Sequence, residues 1–201
     1  MSMTKPSVIS QRTLIIASSN PGKIREFISL LDNLSLDIRL QPGSLNLNFQ
    51  ETGLTFAENA YIKAAAVAAA TGCCALADDS GLCVDALNGA PGIHSARYAP
   101  TETARIIKLL TVLKNTDNRR ASFQAALCIA TPDGSTLAAV EGHCDGLITI
   151  APRGQGGFGY DPIFEVAHTG MTFAEMSPSR KQALGHRGRA FTLLRQKLMH
   201  L

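Results

Sequence analysis

Ala75-Leu76-Ala77-Asp78-Asp79-Ser80-Gly81-Leu82 is the stretch from which the fold can be read. A run of small apolar residues ends in two adjacent carboxylates, a hydroxyl and a glycine. The small residues fit a buried strand, and Gly81 would let the chain turn where that strand emerges. Adjacent strand residues point to opposite faces, so Asp78 and Asp79 are expected to do different jobs. One would face a cleft and hold a divalent cation or polarise a water, while the other braces the scaffold. Taken alone, the same residues also describe a strand followed by an Asx-type turn, the commoner outcome. The neighbouring stretches decide between the two.

Upstream, Thr13-Leu14-Ile15-Ile16-Ala17 is short, apolar and rich in β-branched residues, which predicts a buried strand. It runs into Ser18-Ser19-Asn20-Pro21-Gly22-Lys23 and then Ile24, Phe27, Ile28 and Leu31 at helical spacing. Strand, polar turn, helix is the geometry in which helix N-terminal amides meet phosphate. Ser18, Asn20 and Lys23 add a hydroxyl, an amide and an ammonium, although the glycine count and GK[ST] ending of a Walker loop are absent. Lys23 and Glu26 also fit a plain first-turn surface pair. Residues 32–50 read as loop and a second short strand. Thr55 and Glu58 form a capping box, so a helix starts there and stops at Gly72. Its alanine stretch is sufficiently explained by helix propensity, and Asn59 and Lys63 share one face. Glu51, just ahead of that helix, is either a carboxylate favoured by the dipole or a magnesium ligand that pairs with Asp79.

Downstream, residues 84–87 suggest another short strand, 88–92 a turn, and 102–113 a helix. Residues 121–131 and 136–150 form a hairpin through Pro132-Asp133-Gly134. A glycine-rich loop, Gly156-Gly157-Phe158-Gly159-Tyr160-Asp161-Pro162, precedes a short strand at 162–166. There Phe158 either stacks on a flat ligand or turns into the core. Ser177 caps a short helix to 184, and residues 191–201 close the chain as an amphipathic helix. Between them Lys181, His186 and Arg187 are donors suited to a base carbonyl or phosphate, or else a solvated basic face. The element order is mixed α/β with an antiparallel middle.

Composition narrows the function. The chain has 201 residues, 45% of them hydrophobic and 17% charged, which suits one soluble domain with two lobes. A net charge of +3, with basic residues in pairs such as Arg119-Arg120 and Arg180-Lys181, argues against nucleic acid. No signal peptide is visible, and the longest apolar run, residues 64–70, is too short to span a membrane. Five cysteines without CxxC spacing point to free thiols and a cytoplasmic protein. Residues 1–11 read as a loose extension ahead of a single two-lobed domain over 12–201.

In their order, these motifs resemble the family of house-cleaning nucleoside triphosphate pyrophosphatases that act on inosine, deoxyinosine and xanthosine triphosphates. The match runs from Ser18-Ser19-Asn20-Pro21-Gly22-Lys23 and Glu51-Thr52-Gly53-Leu54-Thr55-Phe56 through the central acids. It continues in Pro91-Gly92-Ile93-His94-Ser95-Ala96-Arg97-Tyr98, the Phe158 loop and Gly185-His186-Arg187-Gly188. The resemblance implies a long mixed β-sheet flanked by helices, with a central active-site cleft between two lobes. It implies Mg2+-dependent cleavage of dITP, ITP or XTP to a monophosphate and pyrophosphate by a homodimer. Asp79 would be the catalytic base and, with Glu51, a metal ligand. Ser18, Ser19, Asn20, Pro21, Gly22 and Lys23 would bind the triphosphate, with Ser80 touching the substrate. Phe158, Gly159, Tyr160 and Asp161 would line the base pocket, and Lys181, His186 and Arg187 would read the 6-oxo edge. Thr52 stands where some relatives carry a second acid, and Gly185 where many carry serine. The competing readings are a Maf-like pyrophosphatase for modified pyrimidine triphosphates and a nucleotide-binding module without turnover.

Overall fold

A continuous run of buried apolar residues makes strand β1, Thr13–Ala17, and its end feeds helix α1, Pro21–Leu31, through a polar turn. Asn20 caps α1 with its side-chain oxygen, and Pro21 supplies the preset φ of a first helical residue. The computed structural model describes residues 13–32, 34, 36–43 and 51–199. The expected N-terminal extension lies outside them. Strand β2, Asp37–Leu40, is the expected short second strand. Helix α2, Phe56–Thr71, begins at the Thr55–Glu58 capping box and ends at Gly72 in the left-handed conformation.

Strand β3, Cys74–Val84, corrects two expectations. It does not stop at the acids, because its ladder to β4, Arg120–Ala130, runs unbroken from Ala75 opposite Ala130 to Val84 opposite Ala121. Gly81 therefore makes no turn. A Cβ there would stand 2.3 Å from the Gly92 carbonyl oxygen and 2.6 Å from Ser95 Oγ. The position is glycine because the 3₁₀ segment Gly92–Arg97 passes against the strand. Val84 belongs to β3, and Asp85–Leu87 is a 3₁₀ turn, not a separate strand. Helix α3, Glu102–Val112, is capped by Thr101, and the hairpin partner β5, Thr136–Ile148, follows β4. The 3₁₀ turn Asp161–Ile163 leads into β6, Phe164–Val166. Helix α4, Pro178–Leu184, is capped by Ser177, and α5 spans His186–Leu198.

The six strands lie in one mixed sheet in the order β2-β1-β3-β4-β5-β6. β1 pairs parallel with β2 and β3, while the β3–β4, β4–β5 and β5–β6 pairs are antiparallel. At one end of the long strands the sheet is covered on both faces. On one face Ala60, Ala64, Val67 and Ala68 of α2 meet Ala75, Ala77, Ala126, Cys128 and Ala130. Propensity alone does not account for the alanine run, since small residues on both sides let helix and sheet approach closely. On the other face Phe27 and Leu31 of α1 and Phe191 and Leu194 of α5 pack on Leu14, Ile16, Leu76, Leu127 and Ile129. Covering both faces explains why residues Leu127 to Ala130 are all buried. At the other end, Leu82, Phe123, Cys144, Phe164 and Phe173 form a second core with Leu109 and Leu113 of and beyond α3. Asp78 to Gly81 lie on the strand between the two cores. Among the described residues no helix is long and apolar enough to cross a membrane.

Helix α5 starts five residues ahead of the expected position, so His186 and Arg187 form its first turn. Both are buried, which removes the reading of a solvated basic face. A Cβ on Gly142 of β5 would stand 2.3 Å from the His186 carbonyl oxygen and 2.5 Å from the Ala190 amide. The missing side chain lets α5 lie directly on the sheet.

Candidate active site

The alternation of β3 separates the two acids as expected. Asp78 sits with a fully buried side chain between Lys23 Nζ at 2.5 Å and Arg187 Nε at 3.1 Å. Ser80 donates its hydroxyl to Asp78 at 3.0 Å and accepts from Arg187 Nη2 at 2.8 Å. Burial alone would raise the Asp78 carboxyl, but Arg187 and Lys23 hold it far below the usual carboxylate range. Asp78 is therefore a permanent anion that fixes Arg187 and Lys23 in place.

Asp79 sits in a different environment. One oxygen accepts from Lys63 Nζ at 2.8 Å, whereas Oδ2 is buried with no hydrogen-bond partner. Burial pushes its carboxyl up, with Lys63 pulling the other way. Lys63 also reaches Glu51 at 3.1 Å, so α2 brings one ammonium to both candidate metal ligands. Glu51 takes a second cation, Arg97. A buried carboxylate oxygen left without a donor normally costs free energy, so its persistence asks for a ligand. Among the described residues no three His, Cys, Asp or Glu side chains form a metal-binding cluster. Two carboxylates are nonetheless enough for magnesium, which completes its shell with phosphate oxygens and water. The residues fit that ion.

The turn between β1 and α1 is braced by its own side chains. Asn20 Oδ1 accepts from the amides of Gly22 at 2.8 Å and Lys23 at 3.2 Å, and Ser18 Oγ accepts from the Asn20 amide at 3.2 Å. Two helix amides expected to face phosphate are thus already satisfied, so this turn presents side-chain donors such as the Lys23 ammonium and the Ser18 and Ser19 hydroxyls to the cleft. Burial lowers the Lys23 pKa while Asp78 opposes the change. The first-turn pair of Lys23 with Glu26 does not form. Glu26 instead accepts from Lys181 at 2.8 Å and from Arg187, and although burial would raise it, these two cations hold it down.

The glycine-rich loop meets α1 directly. A Cβ on Gly22 would stand 2.6 Å from Phe158 Cδ1, so only glycine there lets the ring lie against the helix. The Phe158 amide donates to Asp161 Oδ2 at 2.7 Å, and Lys181 Nζ reaches the same oxygen at 2.5 Å while lying 4.5 Å from the Phe158 ring centre. Asp161 thus anchors the loop, and burial raises its pKa against the pull of Lys181. Tyr160 is buried, its hydroxyl donating to the Ser95 carbonyl at 2.9 Å. His186 stacks on Phe123 at 4.8 Å, with Nδ1 buried and unpartnered; burial and the adjacent Arg187 lower its pKa well below the ordinary value. It is a neutral imidazole.

Ser18, Ser19, Asn20, Lys23, Glu51, Asp79, Ser80, Phe158, Gly159, Tyr160, Asp161, Lys181, His186 and Arg187 all line one cleft of about 380 Å³. Of the expected set only Pro21 and Gly22 do not line it. Gly22 lines an adjoining cavity of about 330 Å³, together with Phe158, Phe173 and Met176. Spacing brings out Glu26 as the end of the Ser18-x-Asn20-x-x-Lys23-x-x-Glu26 pattern and Lys63 as sharing a face with Asn59, but assigns neither a role in the site. The helical offset of Lys63 from Asn59 placed it on the right face, but its partners lie on other elements.

Known proteins resemble the chain over most of its length. A model of the Ham1 family matches residues 14–197. The dITP/XTP pyrophosphatase of Parasynechococcus marenigrum (strain WH8102) is 62% identical over 190 residues, 94% of this chain and 96% of that protein. A dITP/XTP pyrophosphatase of Nostoc sp. is 51% identical over 187 residues, 93% and 94% of the two chains. Among solved structures, a Ham1 protein from Coxiella burnetii superposes with a TM-score of 0.84 at 39% identity, covering 94% of this chain and 99% of that one. The Ham1 protein of Staphylococcus aureus gives 0.82 at 40%, covering 94% and 98%.

Proposed function

Because the chain belongs to the Ham1 family, we propose that its cleft hydrolyses non-canonical purine nucleoside triphosphates such as dITP, ITP and XTP between the α and β phosphates. The enzyme is a nucleoside triphosphate pyrophosphatase, and its products are a nucleoside monophosphate and pyrophosphate. The observation that carries this reading is the unpartnered Asp79 oxygen in a cleft that also holds Lys23, Lys63 and the Phe158 loop.

In this reading Asp79 accepts a proton from the water that attacks the α-phosphorus, and the raised affinity of its carboxyl for protons suits a general base. Lys63 orients Asp79 and keeps Glu51 beside it. Glu51 and Asp79 would hold Mg2+, which supplies charge neutralisation for the phosphates when bound. Ser18, Ser19 and Lys23 bind the triphosphate, with Asn20, Pro21 and Gly22 shaping the turn. Phe158, Gly159 and Tyr160 flank the base. Lys181 and His186 offer donors to the purine 6-oxo group, and Arg187, held by Asp78 and Glu26, backs them. A 6-amino group would leave such donors unpaired, at about 1–3 kcal/mol each, or roughly a hundredfold for two. The enzyme works in the cytoplasm as a homodimer in this proposal.

The test is pyrophosphate release from dITP, XTP, GTP and ATP, with magnesium and with a chelator. Magnesium-dependent release from dITP and XTP is expected, with ATP far slower because it lacks the 6-oxo group and GTP, which has that group, slower on account of its 2-amino group. Equal rates on all four would keep the chemistry and overturn the selectivity, and silence on all four would overturn the reaction.

A further inference from the structure

Arg97 stands at the edge of the cleft with a contact its neighbours do not explain. Its guanidinium pairs with Glu51 although about half of its own side chain is exposed. An isolated half-exposed ion pair contributes little to stability, so stability is a poor reason for this one. Glu51 also already has a buried partner in Lys63. Lys63 is shared with Asp79, so two carboxylates and two cations balance one another, and a divalent cation arriving at the carboxylates would over-supply them with positive charge unless one of the two cations gave way.

The backbone that carries Arg97 is tied down on every side. Ser95 Oγ accepts from the Leu82 amide at 2.9 Å and donates to the Gly92 carbonyl at 2.6 Å. Tyr160 donates to the Ser95 carbonyl, and Arg105 of α3 to the Ala96 carbonyl. Lys108 donates to the Tyr98 carbonyl at 2.9 Å and lies 4.1 Å from the centre of that ring. The Arg97 side chain extends beyond this frame and is about half exposed. Ser95, Ala96 and Arg105 line the same cleft as Glu51 and Asp79.

We infer that Arg97 is an exchangeable cation: it neutralises Glu51 while the cleft is empty, gives way to the divalent cation, and then binds the phosphates that accompany that cation. The inference rests on the reading of Glu51 as a metal ligand. Its signature is a pair of effects with opposite sign. Removing Arg97 takes away a competitor for the metal and also takes away a partner for the polyphosphate. A residue that only supported the fold would weaken both.

The experiment uses the full chain and Arg97→Gln, Arg97→Lys and Glu51→Gln variants. Mn2+ binding is measured by titration calorimetry without nucleotide. Binding of a dITP analogue with a methylene bridge between the α and β phosphates is then measured at saturating Mn2+. Arg97→Gln is expected to bind Mn2+ about two- to fivefold more tightly. It is expected to bind the analogue roughly tenfold more weakly. Arg97→Lys should move both values back toward those of the unsubstituted protein. Unchanged or weaker Mn2+ binding in Arg97→Gln, or unchanged analogue binding, overturns the exchange. Glu51→Gln separates the two readings: if it weakens Mn2+ binding while Arg97→Gln changes nothing, only the exchange fails. If Glu51→Gln leaves Mn2+ binding intact, the metal site and the exchange fall together.

Discussion

Asp78 and Asp79 share a peptide bond and almost nothing else. Asp78 meets an ammonium, a guanidinium and a hydroxyl, so both of its oxygens are satisfied. Asp79 meets one ammonium and keeps one oxygen free. The saturated carboxylate has lost its affinity for protons and the unsaturated one has gained some, from the same strand at nearly the same depth. Burial supplies the penalty in both cases, and the number of partners decides which way the group moves. A satisfied buried charge is scaffold, while one left incomplete is available for chemistry.

The sharpest way to break this contrast is Asp79→Asn. Loss of the general base should lower kcat by about 10²–10⁴-fold. The melting temperature should hold, because the variant removes a carboxylate that burial disfavours. Near-normal turnover would end the catalytic assignment. Asp78→Ala should show the reverse character. It strands Arg187 and Lys23, and losing one partner of a buried ion pair costs about 3–5 kcal/mol. Denaturant unfolding reads that loss directly, and a variant as stable as the parent would show that Asp78 braces nothing.

The smallest effect concerns pH. His186 is held neutral in the fold, whereas in the unfolded chain it takes a proton near pH 6.5. Below that pH the unfolded state binds a proton that the native state does not, so stability falls as pH drops. The slope from this one group approaches about 1.4 kcal/mol per pH unit. His186→Gln should be less pH-sensitive than the parent between pH 6.5 and pH 5, as measured by urea midpoints. Parallel curves would place a protonated imidazole in the fold.

Much of this was legible in the residues, and the failures share a cause. The capping box at Thr55 and Glu58 and the β4–β5 hairpin are local signals, and each stands where its sequence pattern placed it, whereas Asn20, read as a donor to phosphate, caps α1 with its side-chain oxygen. The alternation of Asp78 and Asp79 is equally local. Gly81 was misread because glycine serves both a turn and a close approach, and only the distant Gly92–Arg97 segment tells which. The expected start of α5 falls too late because His186 and Arg187 interrupt the apolar periodicity, and their partners lie on other elements, α1 and β3 for Arg187 and Phe123 of β4 for His186. The roles of Lys63 and Glu26 escape the sequence for the same reason. Their sequence neighbours offer ordinary surface pairs, and the carboxylates and cations they meet lie far along the chain.

That separation also sets a timetable for the chain as it is made. Arg187 follows Asp78 by 109 residues and Glu26 by 161. The strand that carries the acids can pair with β1 and β4 well before α5 exists. Until α5 settles onto the bare stretch of β5 at Gly142, Asp78 has no guanidinium and the cleft has no back wall. The residues that make the centre of the sheet therefore precede in synthesis those that close the pocket built on it, and a chain that ends before α5 carries both acids without the guanidinium that fixes Asp78.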